Sequence, residues 1–564
     1  MNSLSPDRAA PRRPSRPAAC IRAAFALLSC AFLLAAQTPP AKTRSSHPGD
    51  SPKPKGTASI EGATVDAIDG MPLKEVTLLL MDTKGTGSPA TVKSDDTGHF
   101  LFPNLYEGNY LLMGDHPRYA RQTYGSRNGL LGGTPLALST GQELKNLKFE
   151  MQPNAVISGR VLDEDGEPLA NYMVTAARSY YQHGRKQFLP VGTSVTNDLG
   201  EYRIGNLAAG KYFVSALKSM REAPRKAAPT GPEMTYIPTY FPNSPEVSGA
   251  TALTPSPGGE LSGTDIRVAR SKSVRIKGKV IGAPAGQQVT VRVASKDAGI
   301  LAMMLGNGSP VKADGSFELV GVTPGDYLLR VTDQMGMKMM GAGLPIQVGD
   351  RPIEGLLLEV AAAADITGSI VLEGDGQASP KGAKVVLEPV EGGSILPPNT
   401  TAAEDGSFTL KEAPPDKYVV RVIGGPPGAY VKSVQFGTQD VDDHGLAMGG
   451  TAPGKLTIRM STAGGEVNGI VRGQDDQPIT GVTVALIPDS HNYLLYQSAF
   501  TDQHGAFRFA GVTPADYKLL AWEEVEPNAY EDPEFVKPVE NKAERVTVKE
   551  NDRKSVVLKA IPRD

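Results

Sequence analysis

An aromatic residue followed ten residues later by a tyrosine recurs five times: Phe100/Tyr110, Tyr202/Tyr212, Phe317/Tyr327, Phe408/Tyr418 and Phe507/Tyr517. A glycine stands two residues before each aromatic, and an aspartate (Asp96, Asp198, Asp314, Asp405, Asp502) stands one to three residues before that glycine. Upstream, each copy opens on an apolar residue and a glycine: Ile60/Gly62, Ile157/Gly159, Ile276/Gly278, Ile366/Gly368 and Val467/Gly469. The interval from the opening glycine to the aromatic is 38, 43, 39, 40 and 38 residues. Spacing this steady means one structural unit repeated five times, with variation confined to loops.

The pieces of the unit read as short strands joined by turns. In the second copy, Val161 to Pro168 ends a strand in an acidic turn, because Asp and Gly supply turn conformations and Pro cannot continue a ladder. Extended structure resumes at Val174, turns at Asp198-Leu-Gly200, and turns again before Tyr212. Alternating apolar residues between such turns predict antiparallel strands with one buried face. Copies close on further strands at Leu144–Met151, Ile266–Val268, Leu356–Val360, Leu456–Met460 and Val556–Leu558. The fold class expected is all-β: five tandem seven-stranded β-sandwiches of immunoglobulin-like or transthyretin-like size. The paired aromatics and tyrosines above are expected to be structural anchors, the tyrosine holding a corner through its hydroxyl. The turn glycine before that tyrosine is Asp416 in copy four and Ala515 in copy five. Alanine tolerates a left-handed backbone poorly, so copy five is expected to turn differently there.

The N-terminus has the order of a secretory signal. Arg8, Arg12, Arg13, Arg16 and Arg22 precede the apolar run Ala23–Ala36, which is too short to span a bilayer. Cleavage is expected near Ala36; Cys30 sits in a weak lipoprotein-like box that the apolar run overshoots. The expected domains are a signal peptide at 1–36, a disordered Pro-rich linker at 37–57, and sandwiches at 58–152, 153–271, 272–361, 362–461 and 462–564. Cys20 and Cys30 are the only cysteines, so a chain without its signal has no disulfide, thiol nucleophile or cysteine metal site. It carries 53 basic against 60 acidic residues, a balance that fits neither nucleic acid nor an anionic membrane surface.

At these residues the chain resembles the carboxypeptidase regulatory-like domain. Copy two carries the pattern most fully, in Gly159, Val161, Asp163, Gly166, Pro168, Asp198, Gly200, Tyr202, Leu207, Gly210 and Tyr212. Copies three and four depart in the first turn, at Pro284-Ala-Gly286 and Asp375-Gly376. The stretch from Ala521 to Phe535 is similar to the last domain of large exported repeat proteins of soil bacteria such as acidobacteria. The resemblance implies a transthyretin-like, carbohydrate-binding-like sandwich of the kind appended to metallocarboxypeptidases. It implies a fold and not peptidase activity.

Catalytic motifs are absent from the sequence. None of the seven histidines has a glutamate three residues on, as a zinc carboxypeptidase would need, and no His-Glu-x-x-His, nucleophile elbow, phosphate loop or dinucleotide fingerprint occurs. The acidic turns are too short for calcium loops and read as ordinary turn formers. No metal and no cofactor is expected. The distinctive aromatic patch is Trp522, the sole tryptophan, with Tyr530 and Phe535 on a loop rich in Glu and Pro. These three are the candidate ligand-binding residues, with a weaker counterpart in Tyr236–Phe241; the other reading is that they cover the end of the sandwich core, since large aromatics are highly buried on average. The expected function is non-catalytic binding or scaffolding in the cell envelope, with carbohydrate binding through loop aromatics as the alternative. Expected partners are envelope or extracellular proteins or polysaccharide.

Overall fold

The computed structural model describes residues 56–563 apart from 84–87, 127–131, 219–232, 284–285, 296–306, 335, 337, 342, 375–377, 391–395 and 450–453. The expected signal segment, its two cysteines and nearly all of the linker lie outside the described residues. Residues from Lys55 onward form one compact unit.

Strands dominate the described residues, and they pair in the same way in all five copies. The opening strands are Ala58–Asp66, Ala155–Leu162, Val274–Ile281, Ala364–Glu373 and Gly465–Arg472. Each lies antiparallel to the strand that carries the repeated aromatic. The opening glycine sits opposite that aromatic every time: Gly62 with Phe100, Gly159 with Tyr202, Gly278 with Phe317, Gly368 with Phe408 and Gly469 with Phe507. The near-constant sequence interval is therefore a cross-strand register. On its other side, each opening strand pairs with the closing strand of its copy. That pairing is parallel, not antiparallel as the strand pattern implies, because the chain crosses to the second sheet and returns before it closes. The glycine's role follows from this geometry. A Cβ at Gly62, Gly278 or Gly469 would run into a backbone carbonyl of the closing strand, of Leu147, Leu356 or Val556, and one at Gly159 into the Thr264 carbonyl just before that strand. At Gly368 it would meet the Phe408 ring first.

The second sheet of each sandwich holds the strand of the repeated tyrosine, and five apolar cores lie between the sheet pairs. In copy five, for example, Val467, Val471, Phe507 and Leu558 from one sheet pack on Val484, Leu486 and Leu519 from the other. Each such side chain contributes about 1.5–3 kcal/mol on full burial. Copies three and five have seven strands, in orders of three and four. Copy four adds Tyr430–Phe436 and Gln439–Asp440 beside its closing strand, and copies one and two also carry extra short strands.

The tyrosines close the corners. The hydroxyls of Tyr110, Tyr418 and Tyr517 donate to the carbonyls four residues upstream, of Tyr106, Pro414 and Thr513, at 2.9, 2.8 and 2.8 Å. Tyr212 does the same to Ala208, and Tyr327 meets the Thr323 hydroxyl at 2.9 Å. Copies four and five make this bond without a turn glycine. Their strands begin at Asp416 and Ala515, the same register position as Gly108 and Gly325, and neither residue has positive φ. The alanine thus requires no different turn. The residues that brace the preceding turn are not all aspartates of the repeat pattern. Asp95, not Asp96, and Asn197, not Asp198, accept from the backbone two and four residues on, as Asp502 does. Copies three and four have Lys312 and Ala403 at that position, and Asp314 and Asp405 accept from Ser316 and Ser407 instead.

Contacts between copies are specific. Arg330 of copy three, 1% exposed, pairs with Asp416 of copy four at 3.1 Å. The side-chain amide of Gln503 in copy five bonds both backbone groups of Ala137 in copy one, at 2.9 and 2.8 Å, as a strand neighbour would. Tyr430 of copy four donates to Glu550 of copy five at 2.9 Å.

Candidate functional site

The longest hairpin among the described residues builds the site. Tyr172–Gln182 and Arg185–Val195, eleven residues each, pair antiparallel, with one bulge between Ala176 and Ala177, down to a two-residue turn at His183-Gly184. Both turn residues have positive φ, 51° and 70°, as a tight hairpin turn matched to strand twist demands. A two-stranded ribbon extending beyond its own core is marginal in water and needs a partner. Here the partner is copy five. The amide of Tyr181 donates to the Pro527 carbonyl at 2.8 Å, and Asn528 Nδ2 donates to the Tyr181 carbonyl at 3.2 Å. Lys186 pairs with Glu526 at 2.9 Å, and Lys211 approaches the same carboxylate at 3.5 Å. Burial pushes the Glu526 carboxyl up, but its bond to Lys186 and the charges of both lysines hold it below the usual range.

At the hairpin tip lies a cleft of about 400 Å³, lined from copies two, four and five. Copy two contributes Tyr180, Tyr181, Gln182 and His183; copy four contributes Glu388 and Arg421; copy five contributes Tyr496, Gln497, Ser498, Asn528, Tyr530 and Glu531. Glu388 is tied to Arg421 at 2.9 Å and lies 3.9 Å from His183 Nε2. Burial pulls the His183 imidazole below its ordinary value and Arg421 adds to this, with Glu388 offsetting only part. Glu531 is pushed up to about 7 by burial. Backbone bonds from Gly184 and His183 and the charge of Arg421 pull it partly back, and Glu388 adds to the rise. Burial also raises the phenols of Tyr180, Tyr181 and Tyr496, and that of Tyr530 to about 12, so all four remain protonated hydrogen-bond groups near neutral pH. Gly184 has a second reason to be glycine: a Cβ there would lie 3.1 Å from the Glu531 carbonyl and from the Tyr493 hydroxyl.

The three aromatics singled out in the sequence pack together but differ in exposure. Trp522 and Tyr530 are both 4% exposed, with rings stacked at 6.3 Å, and they pack with Ile487, Leu520 and Val536 in a second small core. That core covers the outer face of the copy-five sheet, whose strand Thr483–Pro488 is consequently buried on both sides. Phe535 leans on Trp522 at 6.2 Å and is 36% exposed. Of the three, Tyr530 lines the cleft. Tyr236 and Phe241 pack on the copy-two core. The hairpin residues were not anticipated from sequence. An eleven-residue strand followed by His-Gly was the available signal, and its partner lies 340 residues further on. The anchors Phe100, Tyr202, Phe317, Phe408 and Phe507 are all buried in the sandwich cores. Among the described residues no group of three or more potential metal ligands occurs. No helix of the described residues is long and apolar enough to cross a membrane.

Residues 156–228 match the model of the carboxypeptidase regulatory-like domain. No curated protein matches the chain. Among solved structures, the chain is similar to the Bacillus anthracis TIE protein, at 14% identity over 54% of this chain and 50% of that one, with a TM-score of 0.16. The chain thus spans half the length of that protein. It is also similar to the minor pilin GBS52 of Streptococcus agalactiae, at 13% identity over 38% and 96% of the two chains, with a TM-score of 0.24. Two B repeat units of the collagen binding protein of Staphylococcus aureus match at 13% identity, over 72% and 99%, with a TM-score of 0.14. At such scores these likenesses carry nothing about what the chain does.

Proposed function

We propose that the chain is a non-catalytic, exported repeat protein that binds or spaces partners in the cell envelope, with envelope or extracellular proteins or polysaccharide as those partners. Its division into five sandwiches at 58–152, 153–271, 272–361, 362–461 and 462–564 belongs to the same reading. Export rests on the arginine-rich leader and apolar run before Ala36. The observation that carries the reading is the interlock of copies: copy five is bonded by named side chains to copies one, two and four. Such bonds hold loops of separate sandwiches at fixed spacing, which is what docking requires.

What favours binding over catalysis is the state of the cleft. Paired-carboxylate hydrolysis needs one carboxyl free to act as base or nucleophile. Glu388 is already engaged by Arg421, Glu531 accepts from the backbone of Gly184 and His183, and most other lining groups are phenols and amides. The test is to immobilise the chain, pass envelope extract over it, and assay the same protein on peptide and glycoside substrates. Retention of a defined envelope component without turnover is expected. Turnover that disappears in Glu531→Gln would overturn the non-catalytic reading.

A further inference from the structure

We infer that the cleft between copies two, four and five is a binding site for an uncharged, polyhydroxylated ligand, a neutral saccharide of about two rings. The inference rests on the binding reading above and specifies where and what the chain binds.

Four observations lead to it. First, the cleft is a built cavity: its volume of about 400 Å³ is in the range of small-molecule sites, and three sandwiches contribute walls. Second, its charges are spent internally. Arg421 and Glu388 neutralise one another at 2.9 Å, so neither an anion nor a cation finds a free counter-charge in that pair. Burial disfavours charge on the other two titratable groups as well, holding His183 below its ordinary pKa and raising Glu531 to about 7. Third, the remaining polar lining is neutral and rich in both donors and acceptors: Gln182, Gln497, Ser498 and the hydroxyl of Tyr180. Hydroxyl groups of a sugar match such a lining, because each can donate and accept. Fourth, the rings of Tyr180, Tyr181 and Tyr496 line the cleft beside those groups and offer apolar surface, while Tyr530, 4% exposed, adds little. A pyranose has apolar C–H faces between its hydroxyls and suits this alternation, whereas an extended peptide needs an open strand edge or groove. No single sandwich could form the site, since the lining comes from three.

The chain carries its own reporter. Trp522, the sole tryptophan, is stacked at 6.3 Å on Tyr530, which lines the cleft. The experiment titrates the full chain with maltose, cellobiose and chitobiose, with digalacturonate as an acidic sugar and trialanine as a peptide. Trp522 emission and calorimetry are read together. A saturable change with at least one neutral disaccharide below about 10 mM is expected, a concentration that would detect even weak single-site binding. The double variant Gln182→Ala/Gln497→Ala should lower that affinity about tenfold or more, since it removes two neutral hydrogen-bonding groups. Its melting temperature should match that of the unaltered chain. Absence of a response to every neutral disaccharide, a response only to digalacturonate or trialanine, or unchanged affinity in the double variant would each overturn the assignment. Retention of an envelope component in the extract experiment would survive any of those results, so failure of this site and failure of the binding reading are separable.

Discussion

Asp416 shows how one residue can depart from a repeat for a reason that lies outside its own copy. It occupies a glycine position of the repeat, and its carboxylate meets Arg330 of the preceding sandwich, both nearly inaccessible. A buried guanidinium that loses its carboxylate costs about 3–5 kcal/mol. Asp416→Gly restores the residue that copies one to three use there, so the backbone accommodates it and only the charge is tested. Urea denaturation should show a loss of about that size, and a loss below about 1 kcal/mol would show that the pair is not a support of the junction. The partner of Asp416 could not be found in sequence, because Arg330 lies 86 residues away in another sandwich. The opening glycines and the aromatic–tyrosine offset could, because both are set within one copy by register and by a bond four residues long.

Among the elements, the hairpin Tyr172–Val195 and its turn decide how copy two meets copy five. Its tip is pH-sensitive in a definite direction. The Glu531 carboxyl is raised to about 7 in the folded chain from an ordinary value of 4.5. The stability it contributes is therefore fully present below its unfolded value and is lost as pH rises toward about 7. His183 works oppositely: its folded value is lowered, so its contribution is present above the ordinary histidine value and is lost as pH falls through the depressed one. Between about pH 5 and about pH 8, the Glu531 contribution should weaken the junction by about 2 kcal/mol, allowing for screening on the open side of the cleft. Melting curves across that range should fall less steeply for Glu531→Gln than for the unaltered chain. Parallel curves would show that Glu531 does not titrate in the junction. Strand periodicity revealed these elements, but nothing local to Glu531 marks it as buried. Its environment is made by a turn more than 300 residues earlier and by two strands of copy four.

For the whole molecule, the unit repeat and its all-β class followed from spacing and turns, while the relation between copies did not. Short connections between copies imply limited bending, yet copy five reaches copy one through Gln503. Removing that amide in Gln503→Ala breaks two hydrogen bonds to Ala137 and should cost about 1–2 kcal/mol, read as earlier proteolysis around the contact. An unchanged cleavage profile would show that the contact bears no load in solution. The aromatic patch illustrates the same divide. Sequence placed Trp522, Tyr530 and Phe535 together, and they do pack together, but the surface they were expected to present is largely consumed by a second core, leaving Tyr530 to line a cleft whose other walls come from distant copies.

Copies two and five meet at the hairpin tip through the bonds of Tyr181 to Pro527 and Asn528, and these bonds should hold them in one fixed relation. Spin labels at Arg185→Cys and Glu534→Cys, with Cys20 and Cys30 replaced by serine, measure that relation directly by electron–electron dipolar coupling. Arg185 and Glu534 are both exposed, on either side of the contact. A single narrow distance distribution is expected. A broad distribution, like that of sandwiches strung on independent linkers, would show that the hairpin tip does not fix the two copies.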